Sequence, residues 1–225
     1  MSVLRTYRRS IRQIIVACLF VVGGGISLMA LAAESAQDIE IQEYQGERLG
    51  STNDFRENSI AGVQYIDIDA YRLRVDGLVV QTASWAYPEL QTMDHIQKLV
   101  TIHCVEGWSV KALWEGIPLL SLFEQASPLD TANTVIFHAA DGYTTSVPLQ
   151  TVIDRNLILA DRINDITLPP ANGYPFQLVA EDKWGYKWIK WVVRIELADD
   201  PMYRGFWESR GYNNDADVDG PIFRD

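Results

Sequence analysis

Cysteine is scarce in this 225-residue chain, which has only Cys18 and Cys104. Two cysteines exclude a disulfide framework and a four-cysteine zinc site. Basic residues are also few: 19 lysines and arginines stand against 30 acids, and the formal net charge at pH 7 is −11. A general nucleic-acid binder needs a basic face that releases counterions from phosphates, so no nucleic-acid partner is expected.

Several short functional motifs are missing as well. The chain has no GxxxxGK[ST] and no GxGxxG, so the common nucleotide-binding folds find no support. It has no CxxCH for covalent haem, and the three histidines (His95, His103 and His138) lack metal-ligand spacing. We therefore expect each histidine to be a hydrogen-bonded structural residue.

Hydrophobic residues make up 48% of the chain and aromatic residues 11%, which is enough for one core and excludes a disordered chain or a coiled coil. Strand-like and short helical patterns mix without a βαβ repeat, so the predicted fold class is α+β with a single mixed domain. The predicted strands cover 71–75, 98–105, 134–139, 143–147, 176–180 and 187–197. The predicted helices cover 87–99, 118–126 and 149–156.

We predict three parts along the chain: an export segment (1–32), a polar N-terminal extension (33–60) and a globular domain (61–225). Four of the basic residues and no acid fall in residues 1–32, and an apolar run follows the Arg8-Arg9 pair. This pattern indicates a signal peptide or an uncleaved membrane anchor, and both place the rest outside the cytoplasmic membrane, in the periplasm or its equivalent. A lipoprotein signal at Cys18 is disfavoured because too few apolar residues precede it. The arginine pair suggests twin-arginine export.

Two features of the globular part could carry chemistry. Cys104 ends a predicted strand beside a glycine-containing loop, and it is either a small buried hydrophobe or a thiolate that acts as nucleophile or soft metal ligand. A second cluster, residues 183–194, contains three lysines and an arginine interleaved with tryptophans. It is either a solvated strand face or a phosphate site built from glycine and lysine.

Six short motifs occur in one order along residues 57–215, and they are listed here as they stand: CVEGW from Cys104, WxGxPL from Trp114, DGY from Asp141, NGxP from Asn172, KWGYKxxKW from Lys183, and WExxGY from Trp207. This order resembles the sulfite-oxidase-type molybdopterin domain. Within that family it is similar to the small periplasmic oxidoreductases related to the catalytic subunit of protein-methionine-sulfoxide reductase.

The resemblance implies a cofactor, molybdenum-molybdopterin, and a set of residues that hold it. Cys104 matches the family cysteine whose thiolate binds molybdenum, which makes it the expected metal ligand and catalytic residue. Asn172 matches an asparagine that touches the pterin, and Asn58 matches an N-terminal cofactor contact more loosely. Gly185, Tyr186 and Lys187 match the segment that holds the pterin and its phosphate.

The chain departs from the family pattern at two places. Gln177 stands where relatives have a cofactor-binding arginine, so the hydrogen-bonding capacity remains but the charge is lost. Glu181-Asp182 replaces a proline, and two acids near a phosphate site would repel the phosphate. These changes keep open an alternative function, a cofactor-free extracytoplasmic binding module that retains the fold.

The expected function is a molybdenum-dependent oxidoreductase that transfers an oxygen atom. Relatives that oxidise sulfite line the substrate site with arginines, whereas this chain is acidic and would repel an anion, so a neutral substrate such as a sulfoxide is expected. Because no haem motif is present, electrons must pass to or from another protein. A membrane haem subunit or a cytochrome is the partner that the resemblance implies.

Overall fold

A computed structural model describes residues 39–224 of the chain. The predictions for residues 1–32, including Cys18 and the Arg8-Arg9 pair, lie outside the described residues. Within 39–224, no helix is long and apolar enough to cross a membrane.

Twelve strands and three short helices make up the regular structure of the described residues. The strands are β1 (Glu43–Tyr44), β2 (Glu47–Arg48), β3 (Arg72–Gly77), β4 (Ala83–Ala86), β5 (Ile96–His103), β6 (Ser109–Pro118), β7 (Thr134–Ala139), β8 (Thr144–Pro148), β9 (Ile158–Ile163), β10 (Ile166–Thr167), β11 (Gln177–Val179) and β12 (Val192–Ala198). The helices are α1 (Tyr87–Leu90), α2 (Leu119–Ala126) and α3 (Leu149–Arg155). Short 3₁₀ turns lie at Thr52–Asp54, Pro170–Asn172, Gly185–Lys187 and Glu208–Arg210.

The strands form two five-stranded sheets and one small hairpin, β1–β2. One sheet has the order β4-β3-β12-β7-β8, in which only the β12–β3 pair is parallel. The other has the order β10-β9-β6-β5, with β11 pairing with β9, and all its pairs are antiparallel. Few helices and mostly antiparallel sheets confirm the predicted α+β class.

The locally encoded elements are where the sequence predicts them. α2 follows Pro118, α3 follows Pro148, and β7 and β8 form a hairpin around the Asp141-Gly142 turn. A proline fixes φ near the value that a first helical turn needs, and an Asp-Gly pair favours a hairpin turn.

Two predicted elements are wrong in extent. The helix expected over 87–99 ends at Leu90, because the following β-branched run from Ile96 pairs along its whole length with β6. The strand expected over 187–197 begins only at Val192, since residues 185–187 form a 3₁₀ turn. Strands β6 and β9 were not predicted at all.

The N-terminal extension lies on the surface of the domain, as the polar composition of 33–60 suggests, through its described residues from Ile39 onward. The buried side chain of Asn164 donates to Glu40 Oε1 at 3.0 Å and to the Gly50 carbonyl at 2.9 Å. Glu40 also accepts from the Thr52 amide at 2.7 Å. These bonds fix residues 40–52 and so determine where the chain from Phe55 onward begins.

The close crossing of β6 and β9 requires glycine at position 116. A Cβ on Gly116 would overlap the Leu159 carbonyl oxygen and lie 2.5 Å from the Ala160 Cα. We expect Gly116→Ala to lower the free energy of unfolding by about 1–3 kcal/mol or more, because backbone must move to relieve the overlap. Urea denaturation measures this, with Gly220→Ala as control because its Cβ would make only ordinary contacts. Equal stability of the two variants would contradict the packing argument.

Candidate active site

A cavity of about 240 Å³ opens among five loops and the last residues of the N-terminal extension. Its walls come from residues 55–60, the loop after β5, the β7–β8 turn, the segment before β11, residues 185–191 and the C-terminal region. Aromatic rings form much of the wall: Phe55, Trp108, Tyr143, Tyr186, Trp188, Trp191, Trp207 and Tyr212.

Six of the seven predicted site residues line this one cavity. They are Asn58, Cys104, Asn172, Gln177, Gly185 and Tyr186. They come from segments that are far apart in sequence, so the folded chain brings them together. Lys187, the seventh, does not line it.

Cys104 sits at the end of β5 in a tight turn. Its carbonyl accepts from the Gly107 amide at 3.0 Å, and its amide donates to the Trp108 carbonyl at 2.9 Å. Gly107 has a φ of +84°, a value that few residues other than glycine adopt readily. Only 9% of the Cys104 surface is exposed, and the residue lines the cavity.

The segment that carries Gly185 passes directly against Cys104. A Cβ on Gly185 would lie 3.3 Å from the His103 carbonyl and 3.4 Å from the Cys104 Cα, closer than most side chains tolerate. Glycine therefore lets the two cofactor-binding segments of the resemblance pack side by side.

Two charged side chains beside the Cys104 thiol shift its pKa in opposite directions. Burial raises the pKa of Cys104, the Glu106 carboxylate adds to that rise, and the Arg56 guanidinium lowers the pKa. Glu106 Oε2 lies 4.0 Å from the sulfur and accepts from Trp108 Nε1 at 3.3 Å, while its Oε1 accepts from Asn58 Nδ2 at 3.0 Å. Asn58 therefore reaches the cysteine loop through Glu106.

Asn172 and Gln177 place two buried carboxamides on the cavity wall. Gln177 Nε2 donates to the Trp188 carbonyl at 3.4 Å, a long hydrogen bond that uses only the amide nitrogen. Between them, Gly173 has a φ of +106°, and a Cβ there would meet both Gln177 and Lys190 at about 3.1 Å. The NGxP motif thus lets these side chains converge.

The Lys187 ammonium forms hydrogen bonds with groups outside the cavity. It donates to Glu208 Oε1 at 2.7 Å and to the Ser146 carbonyl at 2.8 Å, and both charged side chains are fully buried. Burial lowers the pKa of Lys187, and the Glu208 carboxylate opposes that effect. In this structure the ammonium does not line the cavity, and the side chain links the Gly185–Lys187 turn to the Glu208–Arg210 turn. Its binding of the cofactor phosphate therefore stays a prediction.

Glu181 and Asp182 also lie away from the cavity. Glu181 pairs with Lys98 at 2.8 Å and Asp182 with Arg155 at 2.8 Å, beside a separate polar depression. Neither acid lines the cavity, so the structure gives no support to the concern that they repel a phosphate bound there.

Sequence patterns did not identify Arg56 and Lys190 as the cations of the cavity. Lys190 belongs to the lysine cluster noted in the sequence, but spacing could not show which lysine faces the ligand. Arg56 lies in a stretch with no periodic pattern, so only the tertiary structure reveals it.

The donor set fits a pterin-bound metal. Residues 39–224 contain no group of three His, Cys, Asp or Glu that could hold an ion by themselves. Cys104 would therefore be a single protein ligand, and a soft metal at that thiolate must take its other ligands from a cofactor. The buried side-chain amides of Asn172 and Gln177 could hydrogen-bond the ring of such a cofactor, and Gly185 leaves room for it beside Cys104.

The fold and this site define a cofactor-binding oxidoreductase domain, and comparison with known proteins identifies its family. The family model described as "oxidoreductase molybdopterin binding domain" matches residues 60–207. The chain belongs to that family.

Individual relatives agree with this assignment. The chain is 30% identical over 154 residues to the oxidoreductase YuiH of Bacillus subtilis, which covers 68% of this chain and 77% of YuiH. It is 31% identical to YedZ1 of Azospira oryzae, which is named as a protein-methionine-sulfoxide reductase subunit; the match covers 67% of this chain and 57% of that protein. It is also 31% identical to the protein-methionine-sulfoxide reductase catalytic subunit MsrP of Gluconobacter oxydans, over 57% of this chain and 47% of MsrP.

Among solved structures, the sulfane dehydrogenase SoxCD from Paracoccus pantotrophus shares the fold, with a TM-score of 0.61 and 22% identity. The match covers 67% of this chain and 42% of the SoxCD chain. This chain therefore spans only about half of several of the proteins it matches.

Proposed function

We propose that this protein is a molybdenum-dependent oxidoreductase that transfers an oxygen atom, reducing a neutral oxo substrate such as a sulfoxide. The observation that carries the proposal is the convergence of Cys104, Asn172, Gln177 and Gly185 on one aromatic-walled cavity. When bound, molybdenum-molybdopterin supplies the two-electron redox chemistry for exchanging an oxygen atom with the substrate.

The residues of the chain hold and orient that cofactor. The Cys104 thiolate would be the protein ligand of the metal, and the thiol would have to lose its proton to serve as that ligand. The carboxamides of Asn172 and Gln177, which line the cavity, would hydrogen-bond the pterin, and Tyr186 would add an aromatic wall.

Charge in the cavity favours a neutral substrate. Arg204 and Arg210 do not line it, and the Arg210 guanidinium stacks 3.5 Å from the centroid of the Phe206 ring. The acids Glu106 and Asp141 line the cavity together with the cations Arg56 and Lys190, so the charges balance and no cluster of arginines gathers an anion. The tryptophan walls suit the apolar groups of a sulfoxide.

Reduction of a sulfoxide takes up two electrons and two protons and releases a thioether and water. The sequence has no CxxCH haem motif, so another protein supplies the electrons. Two relatives are named as subunits of protein-methionine-sulfoxide reductase, which supports a second subunit as the partner. The family resemblance favours a membrane haem subunit or a cytochrome in that role.

The test is elemental analysis and a visible absorption spectrum of the purified chain, followed by methionine-sulfoxide reduction with a reduced dye as electron donor. We expect molybdenum near one atom per chain and dye oxidation that depends on sulfoxide. Molybdenum-loaded protein that oxidises sulfite and leaves sulfoxides unchanged would contradict the proposed direction.

A second candidate is a cofactor-free extracytoplasmic binding module. Gln177, which replaces the arginine of the family pattern, is the observation in its favour. Absence of molybdenum and pterin from protein made in a host that supplies both would establish this alternative and exclude the first.

The location outside the cytoplasmic membrane is also a proposal, supported by the Arg8-Arg9 pair and the apolar run that follows it. We expect replacement of both arginines by lysine to strand the protein in the cytoplasm, because twin-arginine export reads the pair itself. Fractionation with immunodetection measures this, and a variant with lysine at Arg5 alone is the control. Normal export of the double variant would indicate a general signal or anchor.

A further inference from the structure

The sixth motif of the sequence, WExxGY, contributes two rings to the cavity wall and none of the residues expected to hold the cofactor. Trp207 and Tyr212 both line the cavity, and their ring centroids lie 5.4 Å apart. Glu208 of the same motif is fully buried in its salt bridge with Lys187. The two rings are therefore the part of this motif that can contact a substrate.

Residues 211–224 form a loop that turns back on itself and lies beyond the end of the segment that the family model matches. Two backbone hydrogen bonds of 2.9 and 3.0 Å join its first three residues to its last three, and they place Phe223 opposite Tyr212 as an antiparallel pair. The loop is also anchored at its middle, where the Ala216 carbonyl accepts from the Trp184 amide at 2.7 Å. Its backbone is thus held by contacts that do not depend on the Phe223 side chain.

The 211–224 loop fixes two of the cavity rings through side-chain contacts. The Tyr212 centroid lies 4.9 Å from that of Phe223 and 5.1 Å from that of Tyr186. Tyr186 lines the cavity, whereas Phe223 does not and is 60% exposed. The Tyr186 hydroxyl donates to the Asn213 carbonyl at 2.8 Å, so this ring too is tied to the loop.

We propose that Phe223 is a positioning residue, which keeps the Tyr212 ring against Tyr186 and so sets the width of the cavity beside the WExxGY rings. Tilted and edge-on aromatic pairs attract each other, and without Phe223 the Tyr212 ring would be free to turn away. That this part of the cavity receives the organic groups of a sulfoxide rests on the proposed function. The 211–224 loop then selects substrates by size.

Three variants at one position separate the ring from the backbone that carries it. Phe223→Ala removes the ring, Phe223→Leu keeps apolar volume without a ring, and Phe223→Tyr restores the aromatic contact. Tyr65→Ala is the control, because Tyr65 is an aromatic residue that is 82% exposed and does not line the cavity.

The first measurement needs no cofactor and uses the full chain made in a host that cannot synthesise molybdopterin. Four of the seven tryptophans line the cavity, so acrylamide quenching of tryptophan fluorescence reports how open it is. We expect a higher quenching constant for Phe223→Ala and Phe223→Leu, and the value of the unmodified chain for Phe223→Tyr and Tyr65→Ala. A lower melting temperature of Phe223→Ala with unchanged quenching would show a purely structural role and overturn the proposal.

The second measurement uses protein loaded in a competent host and compares the reduction of dimethyl sulfoxide with that of the bulkier methyl phenyl sulfoxide. We expect Phe223→Ala to raise KM for dimethyl sulfoxide by about threefold to tenfold, which corresponds to the loss of one aromatic contact, with kcat nearly unchanged. KM for methyl phenyl sulfoxide should not rise, and Phe223→Tyr should restore the original ratio. An equal fall of kcat for both substrates with unchanged KM would contradict selection by size. If the unmodified chain reduces neither sulfoxide, the proposed function fails, while the quenching measurement still decides the role of Phe223.

Discussion

Lys187→Ala is expected to lower the free energy of unfolding by about 3–5 kcal/mol, the typical cost of leaving one member of a buried ion pair without its partner. Lys187 and Glu208 are 1% and 0% exposed, and Glu208 Oε2 already has no hydrogen-bond partner among the described residues. Removing the ammonium would leave this carboxylate with the Thr145 hydroxyl as its hydrogen-bond donor. Urea denaturation followed by circular dichroism measures the loss.

A double variant distinguishes the contribution of the Lys187–Glu208 ion pair to stability from that of the packing around it. Lys187→Met with Glu208→Leu removes both charges at similar volume, and it should recover most of the stability. Lys98→Ala removes a partly exposed ion pair and should cost clearly less. A Lys187→Ala protein of normal stability that has lost its pterin would show instead that the ammonium serves the cofactor.

The pair also explains how distant motifs build one wall of the cavity. The Gly185–Lys187 turn carries Tyr186, and the segment of Glu208 carries Trp207 and Tyr212. Tyr186 and Tyr212 have ring centroids 5.1 Å apart. The buried Lys187–Glu208 salt bridge joins the two turns and so holds these rings in contact. Removing the salt bridge should therefore also disturb the aromatic wall of the cavity.

Elements with strong local signals could be predicted from sequence, while those fixed by tertiary contacts could not. Pro118 and the Asp141-Gly142 pair mark their helix and hairpin within a few residues. Strand β9 contains Asp161 and Arg162, and β6 contains Gly116, so neither shows a clean alternation. Their identity as strands depends on pairing with each other, which no short window contains.

In the candidate site, too, some residues could be predicted from local motifs, whereas others depend on tertiary contacts. The motif order indicated Cys104, Asn172 and Gly185, and the fold brings them together. The resemblance pointed to Lys187, whereas in the structure Lys190 lines the cavity and Lys187 does not. Side-chain direction in an irregular segment follows from long-range contacts such as Glu208, which lies 21 residues away.

Cys104→Ser is expected to abolish oxygen-atom transfer while the protein stays folded and keeps most of its pterin. Serine has nearly the same shape but offers a hard oxygen of much higher pKa where the metal requires a soft thiolate. The pterin contacts proposed for Asn172 and Gln177 lie on other segments, so the variant should keep them. Sulfoxide reduction, molybdenum content and pterin content of one preparation measure the three quantities together.

Val152→Thr is the matched control, because it also places a hydroxyl on a buried side chain but lies in α3, outside the cavity. It should lose about 1–3 kcal/mol of stability through an unsatisfied hydroxyl and keep its activity per molybdenum. Cys104 lines the cavity beside Glu106, so Cys104→Ser should change the stability less while activity disappears. If Cys104→Ser behaved like the control, with a lower melting temperature and intact turnover, the sulfur would be a packing residue and the proposed chemistry would lose its metal ligand.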